Sequence, residues 1–452
     1  MNKKIRDSLF YVFIILFIIG TVILSLYASG YKFNLSWPLE LDRMLVKTGM
    51  LAVDSNPRSA IIYIDGKAET DKSFSIRKRS YISTPAKIKG LLPGDYELTI
   101  ERPGYWPYQT TITIESGITT FQENISLFKA DNPTIKSITE QNITEEELFL
   151  SNDNNYLFLK NSNKIVNLEK DAEQLGLDII LDKEKCASPY WTRNNELLVA
   201  GNLISIKNPN RNKNYNEIIS SSAYNWKLNE SDNKLYYLTE NNLSVFDVGR
   251  NIAETISKEV DIIDYLPDNR NVYIITKEND EIYFMDYLMS EKTFQNKINL
   301  PFDGSYLFVN NASRHLSIYD SKNRDLYLID KSNINKGARR ISSVDDWAFI
   351  SNNELIYIDK WELKHLNIER NTTQLLFRIS SALENVLYNE NRRYLVLSSQ
   401  EELMIFDLRT NHLTTILRAE KILSPVIDKS NHYLYFWGKL ENQQGVYRIS
   451  IR

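Results

Sequence analysis

Cysteine is almost absent: Cys186 stands alone among 452 residues, which excludes an intramolecular disulfide and any cysteine-built metal cluster. It reads as a small buried apolar residue rather than a reactive thiol. Histidine is scarce as well. His315, His365, His412 and His432 are the whole set, and none has a partner at His-x-x-x-His spacing for zinc. The 15 glycines form neither a phosphate-cradling loop nor a G-x-S-x-G nucleophile elbow. Positive charge is not in excess either. The formal net charge is -4, and since Lys3, Lys4, Arg6 and Asp7 contribute +2, the remainder carries -6. A general nucleic-acid footprint is therefore not supported. These absences leave no cofactor site and nothing that marks an enzyme, although 58 acidic residues will bring some carboxylates near one another.

What is abundant is tyrosine, 27 residues, in a chain that is 42% hydrophobic and 25% charged. That composition belongs to a folded protein. Tyr, Ile, Leu, Val and Phe dominate over Ala, and aromatic and branched side chains fit a pleated surface, so the fold class is mostly β. The length favours two or three domains or one large repeat array.

Between Asp7 and Lys32 no charged residue occurs, and Leu9 to Tyr27 is apolar almost throughout. Nineteen helical residues span roughly 28 Å, close to the ~30 Å of bilayer hydrocarbon. Tyr11, Tyr27, Tyr31 and Trp37 fit the interfacial aromatic belts, and Lys3, Lys4 and Arg6 before the span keep the N-terminus in the cytoplasm. The expected layout is a cytoplasmic tail (1–8), a transmembrane signal anchor (9–31), a juxtamembrane linker (32–48), a small β domain (49–130) and a repeat domain (131–452). A leader cleaved near Ala28 to Gly30 is the rival; the length of the apolar run and the presence of Leu26 and Tyr27 argue against it.

From Gly49 the pattern turns to strands. AIIYIDG (60–66) ends on Asp65-Gly66, a hairpin dipeptide, and YELTIER (96–102) and TTITIE (110–115) alternate beside Pro93-Gly94 and Pro103-Gly104. A small antiparallel β-sandwich follows from this. Residues 49–128 resemble the PEGA domain, a β module of surface and envelope proteins. The family pattern is met by Pro57, Ala60, Asp65, Gly66, Thr84, Pro85, Leu92, Pro93, Gly94, Tyr96, Gly104 and Tyr105. Two departures stand out: the naming tetrapeptide reads Pro57-Arg58-Ser59-Ala60, and an insertion at 67–83 lengthens one loop. Asp65, Gly66, Pro93, Gly94, Gly104 and Tyr105 are turn-forming positions, without chemistry of their own. The insertion carries Arg77, Lys78 and Arg79, either a solvated loop tip or a contact for anionic lipid or wall polymer.

From about Asn132 a unit recurs: a polar turn, a short apolar run, a second turn, then an apolar run ending in an acid. One equivalent position falls at Leu157, Leu198, Tyr236, Tyr273, Ser317, Ile356, Leu395 and Leu434, in steps of 41, 38, 37, 44, 39, 39 and 39. A second landmark falls at Glu169, Asp247, Asp286, Asp330, Glu369 and Asp407. A period near 40 with several short Tyr-, Ile- and Val-rich runs is that of propeller blades rather than helical repeats. The array resembles TolB-type and WD-repeat β-propellers, without the Trp-Asp and Gly-His signatures of the latter, and has seven or eight blades. Trp191, Trp226 and Trp347, upstream of the marked runs, read either as packing between blades or as an aromatic ligand rim. The aligned acids read as turn caps rather than cation ligands.

The sequence thus predicts a non-enzymatic single-pass envelope protein, expected to need no cofactor, whose two β modules form an extracytoplasmic binding or scaffolding surface. Its expected partners are the bilayer and a protein or cell-wall polymer, not nucleic acid. The alternatives are a propeller-based glycan hydrolase or lyase and the sensory ectodomain of a signalling complex. The chain stops just after its last repeat and has a tail of fewer than ten residues before the span, which argues against both.

Overall fold

The computed structural model describes residues 3–33, 45–70, 80–130, 135–139, 142–169, 173–177, 189–240, 242–258, 261–268, 270–309, 314–389, 393–409, 411–429 and 432–451. Chain contacts divide it into two units, Met1–Pro133 and Thr134–Ile451.

The first unit opens with a helix, Lys3–Ala28. Its stretch Phe10–Ala28 has a mean hydropathy of 2.6 over 19 residues and none of it is buried. Such a helix is apolar all round and has no polar face to turn to water. Directly after it, Tyr31–Phe33 pairs with Leu45–Lys47, so both ends of the predicted linker are strands. Two small sheets follow. Gly49–Asn56 is flanked by Ala86–Leu91 and Thr119–Ser126, while Ile61–Ile64 and Gly94–Glu101 are central to a sheet that adds Lys67–Ala68 and Tyr108–Ile114. Leu51, Val53, Ile62, Leu98, Ile100, Ile112 and Ile125 fill the space between them. One pairing departs from the antiparallel pattern: Thr119–Ser126 runs parallel to Gly49–Asn56. The preceding strand belongs to the other sheet, so the chain crosses over before this pairing, where a hairpin would have reversed it.

The second unit contains, among the described residues, eight four-stranded antiparallel sheets. They are blade 1 (148–176), blade 2 (190–214), blade 3 (224–258), blade 4 (261–300), blade 5 (306–341), blade 6 (347–378), blade 7 (383–418) and blade 8 (421–450). Every one of the eight marked positions lies in the second strand of its blade. Blade 8 takes its outer strand from the other end of the unit, where Lys136–Ser137 pairs with Gln443–Ser450. Blade 8 also packs on blade 1 through Tyr435, Trp437 and Val446 against Leu148, Leu157 and Val166. The fold is an eight-bladed propeller, closed where the two ends of its chain interlock.

The middle strands are apolar without alternation because both of their faces are covered. In blade 3, Leu235 and Tyr237 pack towards blade 2 and Tyr236 and Leu238 towards blade 4. The period of two is present, but it divides apolar residues between two neighbours instead of between core and solvent. Turns in this glycine-poor chain fall to asparagine, whose short side chain tolerates left-handed backbone: Asn154, Asn163, Asn233, Asn251, Asn371, Asn411 and Asn442 all have positive φ.

Candidate binding surfaces

The first unit is organised by the predicted turns. Asp65 and Gly66 both have positive φ (48° and 72°) and link Ile64 to Lys67 as a two-residue hairpin. Asp65 Oδ1 also accepts the Glu97 N–H at 2.9 Å, tying that turn to the neighbouring strand. Thr84 Oγ1 lies 2.6 Å from Ser55 Oγ and accepts the Ala60 N–H at 3.2 Å, and Tyr96 Oη donates to the carbonyl of Leu92, just before Pro93, at 2.8 Å. Gly94 has φ 153° and Gly104 φ 81°; the Gly104 carbonyl accepts the Ala130 N–H and the Tyr105 ring lies under the Arg102 guanidinium. The ends of the insertion pair with each other, Thr70 opposite Tyr81. Arg77, Lys78 and Arg79 lie outside the described residues.

In the second unit Trp191, Trp226 and Trp347 sit on innermost strands. Trp191 stacks on Tyr156 of blade 1 and its Nε1–H donates to the Phe149 carbonyl at 3.0 Å. Trp226 lies between Tyr215 and Tyr237, in the core shared by blades 2 and 3. Trp347 packs on Tyr319 of blade 5. Trp191 and Trp226 are buried, so they are not a ligand rim: they fill space between blades, where a large ring removes the most apolar area from water. Trp347 keeps partial exposure but serves the same packing role.

The aligned acids also need correction in part. Asp247, Asp330 and Asp407 cap the turn after the third strand by accepting the backbone N–H of Arg250, Ser332 and Arg409. In blades 1 and 6 that task belongs to Asn167 and Asn367, not to Glu169 and Glu369 two residues on. Asp286 is buried in mid-strand, accepts from Asn296 Nδ2 at 3.0 Å, and is pushed up by desolvation. The Ser332 hydroxyl and the Arg314 guanidinium hold Asp330 well below the usual carboxylate range. Among the described residues no group of three or more His, Cys, Asp and Glu side chains is placed to hold a metal ion.

Polar side chains on or beside the innermost strands join one blade to the next. Asp264 in blade 4 accepts the Phe308 N–H of blade 5 at 2.8 Å, and from blade 3 receives Lys227 Nζ at 2.6 Å and Asn225 Nδ2 at 3.0 Å. Asp346, at the start of blade 6, accepts the Val386 N–H of blade 7 at 2.8 Å; burial pushes its carboxyl up to about 6. Ser424 in blade 8 accepts the Leu148 N–H of blade 1 at 2.9 Å. Carboxylates bound to the neighbouring backbone in this way, Asp264 buried and Asp346 half-buried, are structural fasteners between blades.

Exposed apolar side chains collect elsewhere. Phe302, 77% exposed, lies in the connection from blade 4 to blade 5, and Trp361, 48% exposed, lies between the second and third strands of blade 6. In a propeller of up-and-down sheets these two kinds of connection emerge at the same end. Ile263 and Leu307, early in the innermost strands of blades 4 and 5, are exposed towards that end as well.

Residues 48–127 match the PEGA domain. The match covers the sandwich and leaves the propeller to structural comparison. The solved structures similar to the chain are β-propeller proteins. They include Hsv2 of Kluyvelomyces marxianus (12% identity, 48% of this chain and 73% of that one, TM-score 0.34). An oligogalacturonate lyase from Vibrio parahaemolyticus is similar at 10% identity over 72% of this chain and 96% of that one, with TM-score 0.43. A chain of the Mitotic Checkpoint Complex is similar at 10% identity over 72% and 93%, with TM-score 0.41. At such identities the likeness concerns the fold alone. No curated protein matches the sequence.

The blade fasteners escaped the reading of the sequence, although a signal was there. Asn225, Asp264 and Asp346 each directly precede an aromatic residue (Trp226, Tyr265 and Trp347) at the start of a repeat. Asp264 and Asp346 bind the backbone of residues 44 and 40 positions on, which is one repeat.

Proposed function

We propose that this chain is a single-pass, non-enzymatic protein of the cell envelope. Its N-terminus lies in the cytoplasm, and its PEGA module and propeller act outside the membrane as a binding or scaffolding surface. The apolar helix, no part of which is buried, supports the anchor, because a bilayer would cover it. PEGA modules belong to surface and envelope proteins, which supports the outward placement. The single observation behind the binding reading is the apolar set Ile263, Phe302, Leu307 and Trp361, exposed at one end of three consecutive blades. Exposed aromatic residues of this kind mark contact surfaces for a protein or polymer partner.

A photoreactive amino acid placed at Phe302 or Trp361 in the membrane-bound protein tests this reading. Cross-links to one partner from both positions, and none from exposed Arg250 at the opposite end of blade 3, are the expected result. No cross-link from either position, or glycan turnover by the purified protein, would argue against it.

A further inference from the structure

We propose that the PEGA module seats its helix-proximal end in the anionic headgroup layer of the bilayer, with Lys32, Lys47, Lys89 and Ile118 as the contacting residues. The inference rests on the anchored reading above and adds to it a lipid-recognising surface. The apolar helix ends at Ala28, and Tyr31 is already paired with Lys47. Both the N–H and the hydroxyl of Thr48 donate to the Gly30 carbonyl, at 2.9 and 2.7 Å. The Gly117 N–H donates to the Thr48 carbonyl at 3.2 Å, the Met50 N–H to the Ile118 carbonyl at 3.0 Å, and Lys32 Nζ to the Gly90 carbonyl at 2.5 Å. A continuous set of bonds therefore joins the end of the helix to the 115–118 turn and to Gly90.

Depth follows from chain dimensions. Two residues beyond Ala28 reach at most ~7 Å. The headgroup region on each side of the hydrocarbon is about 5–8 Å deep. With the helix filling the hydrocarbon, Gly30, Thr48 and the turn bonded to them lie at headgroup level. Lys47 and Lys89 are exposed there, Lys32 is half-buried, and Ile118 is 53% exposed. Among the described residues the acids at this end are Glu115 on that turn and exposed Asp95, paired with Thr113 on the adjoining strand, against three lysines, so positive charge predominates. Cations held within a Debye length, roughly 8–10 Å, of anionic lipid are attracted to it. An apolar side chain beside them suits the boundary between headgroups and acyl chains.

The test uses the full chain with Cys186→Ser, reconstituted in phosphatidylcholine vesicles with or without phosphatidylglycerol. A fluorophore is attached at Ile118→Cys or at Trp106→Cys. Trp106 is bonded to Phe128, past the far end of the eight-residue strand Gly49–Asn56, and so lies about 25 Å along that strand from the helix-proximal end. Spin-labelled headgroup lipid should quench the probe at 118 several-fold more than the probe at 106. Phosphatidylglycerol should strengthen that quenching, salt should weaken it, and Lys47→Glu with Lys89→Glu should remove the gain. Equal quenching at the two sites would overturn the proposal, as would quenching at 118 indifferent to lipid charge and to the reversed lysines. Reconstitution inserts the helix whether or not cells retain it, so a cleaved leader would defeat the anchored reading while leaving this measurement to stand on its own.

Discussion

Truncating Ile138 to alanine probes how the propeller is closed. Ile138 follows the two-residue strand Lys136–Ser137, is 4% exposed, and packs with Leu148 and Leu157 of blade 1 and Trp437 and Val446 of blade 8. Its N–H donates to the Val446 carbonyl at 2.9 Å, and the Val446 N–H donates to Thr139 Oγ1 at 3.0 Å. A buried Ile→Ala change costs about 2–5 kcal/mol, and beside the short first strand of the unit, where neighbours can relax, about 2–3 is expected. Because one side chain serves both the first and the last blade, the loss should lower the urea midpoint of the whole propeller in detergent-solubilised protein. An open stack would lose stability locally, since its energy is roughly a sum over adjacent repeats. Deleting 445–452 removes Val446, Ile449 and Ile451 from the same closure and should lead to general degradation in limited proteolysis. An unchanged midpoint in the Ile138 variant, or a lasting fragment of blades 1 to 6 after the deletion, would refute this reasoning.

Asp346 supplies a prediction in pH. Its folded-state pKa of about 6 lies above the ordinary 3.8, so folding is favoured as the carboxyl takes up a proton and this gain is lost above about pH 6. Relative to Asp346→Asn, the natural protein should gain about 2–3 kcal/mol between pH 7 and pH 4; a gap that does not move with pH would contradict the assignment. Gly66→Val should cost about 1–2 kcal/mol through backbone strain alone, since nothing lies within 4 Å of an added Cβ, and Gly94→Val about 1–3; unchanged thermal unfolding in both would mean the turns are misassigned. Gly201→Ala would place a Cβ 2.7 Å from Trp226 Nε1 at φ +77°, and a shift in tryptophan emission with a lower midpoint is the expected readout.

The repeat was legible because a blade's second strand is buried on both sides and so leaves an apolar run at a fixed period; eight markers taken from sequence fall on eight such strands. The turns of the PEGA module were legible for another reason, that Asp65-Gly66 has few other uses. What stayed hidden was non-local. Lys136–Ser137 completes a sheet whose other strands lie some 300 residues away, and no local pattern announces such a pairing. The available hint was the strand count of the eighth repeat, since 421–450 holds three strands where the other blades hold four. The capping positions were misplaced in blades 1 and 6 because Asn and Asp serve a turn equally well, and an alignment on acidity slid past Asn167 and Asn367 to the next carboxylate. Tryptophan exposure was equally unreadable, as the innermost strands both border the central channel and pack on their neighbours.

An envelope role requires that the helix be kept and that both β modules stand outside the membrane. One labelling experiment addresses both: membranes from cells expressing the Cys186→Ser chain with Trp361→Cys are treated intact with a membrane-impermeant thiol reagent, and the extracted protein is weighed whole by mass spectrometry. The expected product begins at Met1 or Asn2 and carries the label at residue 361. A mass corresponding to a start between Ser29 and Tyr31, or a full-length chain labelled only after the membrane is opened, would contradict the account.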